Sequence, residues 1–374
     1  MKLINDLDFK NKRVVLRCDF NVPIENGKIM DNSKIVNSLK TIQYLLDNNC
    51  SICILSHLGR VKSIEDKEKY SLKIVAKELA KVLNKEVKFF NQCYGSKVKK
   101  LVLEQDMGTV ILLENTRWMD LNGKLESKND ENLAKYWASL GDIFVNDAFG
   151  AMHRAHASTA GIAKHIPHCL GFLVEKEIKA LARLIKNPPK PFTVFMGGAK
   201  VDDKLPIIEA LLPKCDYLLV GGGIANSFLK ARGASIGKSV STEDPEILQK
   251  LNELKTKYKE KIIMPRDYTL DDGVIYDLGA KSIEFFKQYI DKSEIIFVNG
   301  TCGKYEDERF IEGTVALFKT LKESGKTVII GGGDTVSAVK KFGFENDFAH
   351  LSTGGGATLE FIANGNLEAL EWMK

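Results

Sequence analysis

Residues 328–335 read VIIGGGDT: an apolar, β-branched run, three glycines, then an acid and a hydroxyl. A short apolar run that stops at glycine suits a strand buried on both faces. Glycines directly after it let backbone N–H groups approach an anion, with the N-terminus of a following helix behind them. The same order recurs as YLLVGGG at 217–223 and LSTGGGA at 351–357, and FMGGAK at 195–200 adds two glycines and a lysine. Ligands of open α/β sheets gather at the carboxyl ends of strands. One such turn is explained by turn geometry alone; four in one half point to a phosphate-binding α/β domain.

Further strand candidates surround these turns at 261–264 and 294–298, with 192–196, 217–220, 327–330 and 349–352 completing the half. The first half repeats the style at 13–17, 51–55, 110–113 and 143–145, with lysine-rich amphipathic stretches such as 72–83 between. Strands alternating with helices predict an α/β fold of doubly wound parallel sheets. Residues 171–186 read as one interdomain helix with Leu173, Ile178, Leu181 and Ile185 on an apolar stripe, stopped by Asn187-Pro188-Pro189. The expected organisation is an N-terminal domain over 1–170, this helix, a C-terminal domain over 187–360 and a tail over 361–374.

Length and composition agree. A chain of 374 residues is long for one core and suits two domains. Hydrophobic content of 44% and charge of 28% are those of a globular protein. No apolar run is long enough to span a membrane, and MKLINDLDFKNKR lacks a signal-peptide core, so cytoplasm is the expected location. The net charge of +5 is spread without an arginine- and aromatic-rich face, which argues against a nucleic-acid partner. Cys50 and Cys53 form a C-x-x-C, but i and i+3 of a strand face opposite ways, so core packing is the reading rather than redox or metal chemistry.

The chemistry divides between the halves. None of the glycine triplets completes the GxGxxG dinucleotide pattern, which disfavours a dehydrogenase, and RGASIGKS has Arg232 where a P-loop needs its first glycine. Asp334 is placed to hold Mg²⁺ beside a polyphosphate, with the Thr335 hydroxyl adjacent. Lys200 and Lys204, four apart, are expected on one face of an opening helix. In the first half, RCDFNVP puts Arg17, Asp19 and Asn21 on one face at a strand end. SHLGR adds His57 and Arg60, LLENTR adds Arg117, and NDAFGAMHRAHAS adds Arg154. Arginines converging from successive strand ends suit phosphate and carboxylate through their planar forks. The histidines of HRAH, His153 and His156, have no acidic or cysteine partner nearby and are read as supporting that pocket rather than as metal ligands.

Along nearly its whole length the chain resembles the phosphoglycerate kinase family, through DFNVP, SHLGR, LLEN-x-R, NDAFG-x-x-HRAH-x-S, GGAKV-x-x-K, GGGIAN-x-F, IIGGGDT and STGGGA. The resemblance implies a hinged, typically monomeric enzyme of two Rossmann-like, doubly wound parallel-sheet domains, with the tail over 361–374 returning to the N-terminal domain. It would transfer the acyl phosphate of 1,3-bisphosphoglycerate to Mg-ADP, giving 3-phosphoglycerate and ATP, on domain closure. It implies that Asp19 and Asn21 hold the glycerate hydroxyl and carboxyl region, and that His57, Arg60, Arg117 and Arg154 clamp the non-transferred phosphate. Lys200 would meet the transferring phosphoryl group and Lys204 the nucleotide phosphates. Gly198, Gly222, Asn299 and the loop Gly332, Gly333, Asp334, Thr335 would join them around the nucleotide, Glu306 at its ribose. Backbone N–H groups of Gly332 and Gly355 would stabilise the transition state. Three departures stand out. Lys34 replaces the family's reaction-centre arginine, which it implies is both substrate-binding and catalytic. VNGTCGKYE (298–306) replaces WNGP-x-G-x-F-E. Val61 follows SHLGR instead of proline, and the tail NGNLEALEWMK is short of the usual Pro-Gly. Lys34 leaves a second reading: a catalytically weakened relative that binds phosphoglycerate and nucleotide as a regulatory protein.

Overall fold

The computed structural model describes residues 1–374. Two compact units emerge, Met1–Ile178 with Asn366–Lys374, and Lys179–Gly365.

The first unit holds a six-stranded, all-parallel sheet of β1 (Arg13–Cys18), β2 (Ser51–Leu55), β3 (Lys88–Phe90), β4 (Val110–Leu113), β5 (Ile143–Asp147) and β6 (His168–Leu170), in the order β3-β4-β2-β1-β5-β6. Parallel strands point their carboxyl ends the same way, so the loops after β4, β2, β1 and β5 share one edge. The core beneath includes Leu16, Ile54, Leu112 and Val145. Cys50 belongs to that core; Cys53 is buried but outside it, and every cysteine is a free thiol.

The second unit repeats the architecture with β7 (Phe192–Met196), β8 (Tyr217–Val220), β9 (Ile262–Ile263), β10 (Ile295–Asn299), β11 (Thr327–Gly331) and β12 (His350–Leu351), in the order β9-β8-β7-β10-β11-β12. Numbered within the unit this is 3-2-1-4-5-6, the dinucleotide-fold order, whose reversal between first and fourth strands opens a crevice. Here those strands are β7 and β10.

Several elements differ from the sequence reading. The short β3 and β6 were not expected. β9 has two residues where four were read, β12 two instead of four, and β10 runs one residue further, to Asn299. An antiparallel hairpin, Tyr268–Asp271 with Val274–Leu278, was also missed; its Asp272-Gly273 turn has both residues at positive φ, the geometry that matches strand twist. A helix covers Phe172–Ile185, and the division into units falls inside it. A later helix, Gly356–Asn364, ends on left-handed Gly365, so the tail joining the first unit begins at Asn366, not at 361.

Candidate active site

In the first unit the convergence is electrostatic as well as geometric. Asp19 follows β1 and is buried. Its Oδ2 accepts from Lys34 Nζ at 2.7 Å, Lys34 lying on helix α1 (Ser33–Asn37). Burial pushes the Asp19 carboxyl up, but Lys34 and the neighbouring cationic groups outweigh it and hold it at about 2. Asn21 is exposed, and its Oδ1 accepts from Gly59 N at 2.9 Å, tying DFNVP to SHLGR. His57 follows β2 and Arg117 follows β4, where Asn115 Oδ1 caps its backbone at 3.0 Å. Arg117 is lowered by burial, with Asp120 and Glu126 opposing and Arg154 and Arg60 adding cationic repulsion, so the three arginines share one neighbourhood. The Arg117 Nε is buried without a protein partner, an unmet donor that fits an oxyanion. Arg60 and Arg154 are exposed at the rim.

The HRAH histidines behave as supports. His153 Nδ1 donates to the Gly150 carbonyl at 3.1 Å. Burial, then Arg117, pushes His156 down to about 3, so it is neutral at physiological pH. No group of three or more His, Cys, Asp or Glu side chains is arranged to hold a metal. The loop is braced by the tail: Ala369 N donates to Met152 O at 2.9 Å, Ala155 N to Glu368 Oε2 at 3.1 Å, and Lys164 Nζ lies 4.2 Å from the Trp372 ring centroid. Glu368→Ala is therefore expected to loosen Arg154, one residue before Ala155, and to raise KM for the anion that the cluster binds about two- to fivefold with kcat nearly unchanged; steady-state kinetics check this.

In the second unit a cavity of about 540 Å³ opens at the β7–β10 reversal. Its walls include Gly198, Lys200, Lys204, Gly222, Asn299, Glu306, Gly332, Gly333, Asp334, Thr335 and Gly355, which brings together every residue expected there. Two helices start at it, Gly333–Lys341 and Gly356–Asn364, with Gly332 and Gly355 as their N-terminal caps. Their free N–H groups and dipoles favour negative charge. Gly222, at φ +53°, would place a Cβ 3.0 Å from Gly198 N, so the two glycine turns approach this closely because Gly222 carries no side chain.

Two expectations need correction. Lys200 and Lys204 do not share a helix face, because the helix begins at Leu205 with Pro206 in its first turn and Lys204 as its N-cap. Lys204 instead turns back, donating from Nζ to Gly197 O at 2.6 Å, while Lys200 is exposed. The Thr335 hydroxyl is turned inward and accepts from Gly300 N at 2.6 Å, joining two loops rather than facing a ligand. The sequence reading also missed Asn226 of GGGIAN, which lines the cavity and donates from Nδ2 to Val240 O at 3.0 Å, and Tyr276 of the unforeseen hairpin. In the altered VNGTCGKYE loop, Lys304 N donates to Tyr276 O at 2.9 Å, so the loop closes on that hairpin.

Burial pushes Lys204 down to about 8, against the pull of Asp334 and Asp203. The ammonium form is the one that binds phosphate, and a bound phosphate raises its pKa. Affinity for a nucleoside diphosphate should accordingly fall about tenfold between roughly pH 7 and roughly pH 9.5, and Lys204→Arg should flatten the profile; calorimetric titration across that range checks it.

A cationic cluster able to clamp a small polyanion, together with a helix-capped cavity of nucleotide size in a dinucleotide-type sheet, defines a phosphotransferase. The chain belongs to the phosphoglycerate kinase family: residues 4–365 match the profile described as Phosphoglycerate kinase. It is 45% identical over 393 aligned positions to a phosphoglycerate kinase of Mesomycoplasma hyopneumoniae (strain 232), covering 99% of this chain and 96% of the relative. Among solved structures it resembles phosphoglycerate kinase from Coxiella burnetii, at 37% identity and a TM-score of 0.85 over 99% of this chain and 98% of that one. The enzyme from Pyrococcus horikoshii OT3 superposes with a TM-score of 0.87 at 31% identity, over 100% and 98%.

Proposed function

We propose that this chain transfers the acyl phosphate of 1,3-bisphosphoglycerate reversibly to Mg-ADP, giving 3-phosphoglycerate and ATP, as a cytoplasmic monomer. The observation that carries the proposal is that family membership spans residues 4–365, with a second-unit cavity lined by the residues expected to hold the nucleotide. His57, Arg60, Arg117 and Arg154 bind the phosphate that stays; Asp19 and Asn21 orient the glycerate. Lys204 holds the nucleotide phosphates and Glu306 the ribose. Lys34, Lys200 and the N–H groups of Gly332 and Gly355 receive the charge that spreads over the moving phosphoryl group. Asp334 fits Mg²⁺, which usually takes one or two carboxylates plus phosphate oxygens; bound there it would neutralise charge on the nucleotide phosphates. Donor and acceptor must meet in line and away from water, so closure of the two units is part of the proposal. ATP consumption on addition of 3-phosphoglycerate tests it. Saturable binding of both ligands with no turnover would overturn it in favour of the regulatory binding protein; nothing in the site, where only Lys34 departs among the charged residues, favours that reading.

A further inference from the structure

Arg17 is the one arginine of the first unit's cluster that cannot reach a ligand. It is fully buried, and its donors are committed. Nε donates to Ser158 Oγ at 2.9 Å, and Nη1 to the carbonyl of Cys18. Ser158 is itself fixed, its amide donating to Glu126 Oε2 at 3.0 Å and its hydroxyl to Glu126 Oε1. Both Ser158 and Glu126 are buried. A chain of contacts therefore runs from the interior outward, Glu126 to Ser158 to Arg17, and ends at Nη2, 3.1 Å from Nδ1 of His57. A guanidinium has five N–H donors and no acceptor, and it keeps its proton at any pH at which the protein folds. The Nδ1 of His57 can meet it only through a lone pair.

We propose that Arg17 is a positioning residue that fixes His57 as the neutral Nε2–H tautomer and aims that N–H at the anion bound by Arg60, Arg117 and Arg154. The inference deepens the reading of this site as the phosphoglycerate site and rests on it for the identity of the anion. Its chemical content is a division of labour. The rim arginines supply charge, whereas His57 supplies one directed neutral donor that does not switch with pH. Protonating His57 would turn Nδ1 into a donor facing a donor, so the contact with Arg17 would break. The groups facing the ring agree. Asp19 after β1 favours the cation, but burial, Arg17, Arg117 after β4 and Lys34 on α1 oppose it, and the net shift is well below the ordinary histidine value.

Nitrogen-15 NMR of the histidine-labelled enzyme tests this directly, because lone-pair and N–H ring nitrogens resonate far apart. The His57 signals are assigned among the six histidines by their loss in His57→Gln. The expected spectrum has a lone-pair Nδ1 and a protonated Nε2, unchanged between about pH 8 and about pH 5.5. In Arg17→Leu, which removes the donor, His57 should become a tautomer mixture and titrate, whereas Arg17→Gln, whose amide still donates, should keep the wild-type pattern. Both His57→Gln and His57→Asn should raise KM for 3-phosphoglycerate, the glutamine, whose amide N–H mimics Nε2, at least about threefold less than the asparagine, whose amide mimics Nδ1 and which should raise it about tenfold. A proton on Nδ1, or a cationic ring near neutral pH, in the wild type would overturn the proposal without needing any variant to fold. Absence of turnover in an enzyme that shows the expected spectrum would remove the functional reading and leave the tautomer assignment in place.

Discussion

Lys34→Met should lower kcat about a thousandfold while changing KM for 3-phosphoglycerate little, because a cation that meets charge only as it develops acts on the transition state. Lys34 sits on α1 with its ammonium 2.7 Å from Asp19 Oδ2, half-exposed at the site. That single nitrogen has three donors fanned from one point, so a donor given to Asp19 constrains the direction of the others. An arginine in its place has a fork wide enough to hold Asp19 and a phosphoryl oxygen together. Lys34→Arg is therefore expected to raise kcat severalfold, about three- to tenfold, again without a matching change in KM. Acid stability gives an independent readout. The Asp19 carboxyl is depressed to about 2 from its ordinary value of 3.8, so its contribution to stability is present above that ordinary value and is lost as pH falls through about 2. Lys34→Met removes the strongest opposing charge and leaves burial pushing the carboxyl up, so the acid-unfolding midpoint should move to higher pH. Turnover within tenfold of wild type in Lys34→Met would show that the phosphoryl charge is carried elsewhere.

The parts of this fold that are legible in the sequence are those enforced locally. An apolar run ending in glycines is a strand and a tight turn whatever lies around it, which is why the turns after β7, β8, β11 and β12 were readable and the residues on them could be assigned to one cavity. Edge strands are enforced from outside: β3 and β6 have too few residues to show a period, and they exist because a neighbouring strand offers them partners. The Lys200–Lys204 pairing failed for a local reason that was visible, since Pro206 favours the first turn of a helix and delays its start. The depth of Arg17 is set from a distance. Alternation puts it on the face of Asp19 and Asn21 but says nothing of depth; its Ser158 partner is 141 residues away, and only the folded sheet shows the guanidinium turned inward. The same holds for Glu368, whose contact with Ala155 spans 213 residues. The buried acid Asp147 extends the pattern. Its Oδ1 accepts from Leu173 N at 2.9 Å, anchoring the helix Phe172–Ile185 from within the NDAFG motif, so a stretch that reads as substrate site also holds a helix start. Burial raises that carboxyl to about 6 even though Thr41 and the helix amides favour its charged form.

Asp334→Ala should lower Mg-dependent kcat about a hundredfold or more and raise the Mg²⁺ concentration needed for half-maximal activity, while leaving 3-phosphoglycerate binding within about twofold. Asp334 lies in the first turn of the helix Gly333–Lys341, exposed on the cavity wall, with Asp203 and Glu306 the other carboxylates lining the cavity. A carboxylate at that position helps the helix through its dipole but opposes a phosphate drawn to the same N–H groups. The conflict is relieved only when a cation lies between acid and phosphate, which is the physical case for Mg²⁺ there. Two opposite signs follow from one substitution. Removing Asp334 should weaken Mg-ADP binding and, with chelator present, strengthen binding of metal-free ADP, because the repulsion has gone and Lys204 remains. It should also lower the Lys204 pKa further, since Asp334 is the first of the charges now holding it up; the alkaline fall in ADP affinity would then begin at lower pH in the variant. Titrations of ADP with and without Mg²⁺, and of 3-phosphoglycerate alone, separate these effects. Equal losses of nucleotide and 3-phosphoglycerate binding would contradict the assignment of the two ligands to different units, and a weaker metal-free ADP complex would mean that Asp334 holds the loop rather than the metal.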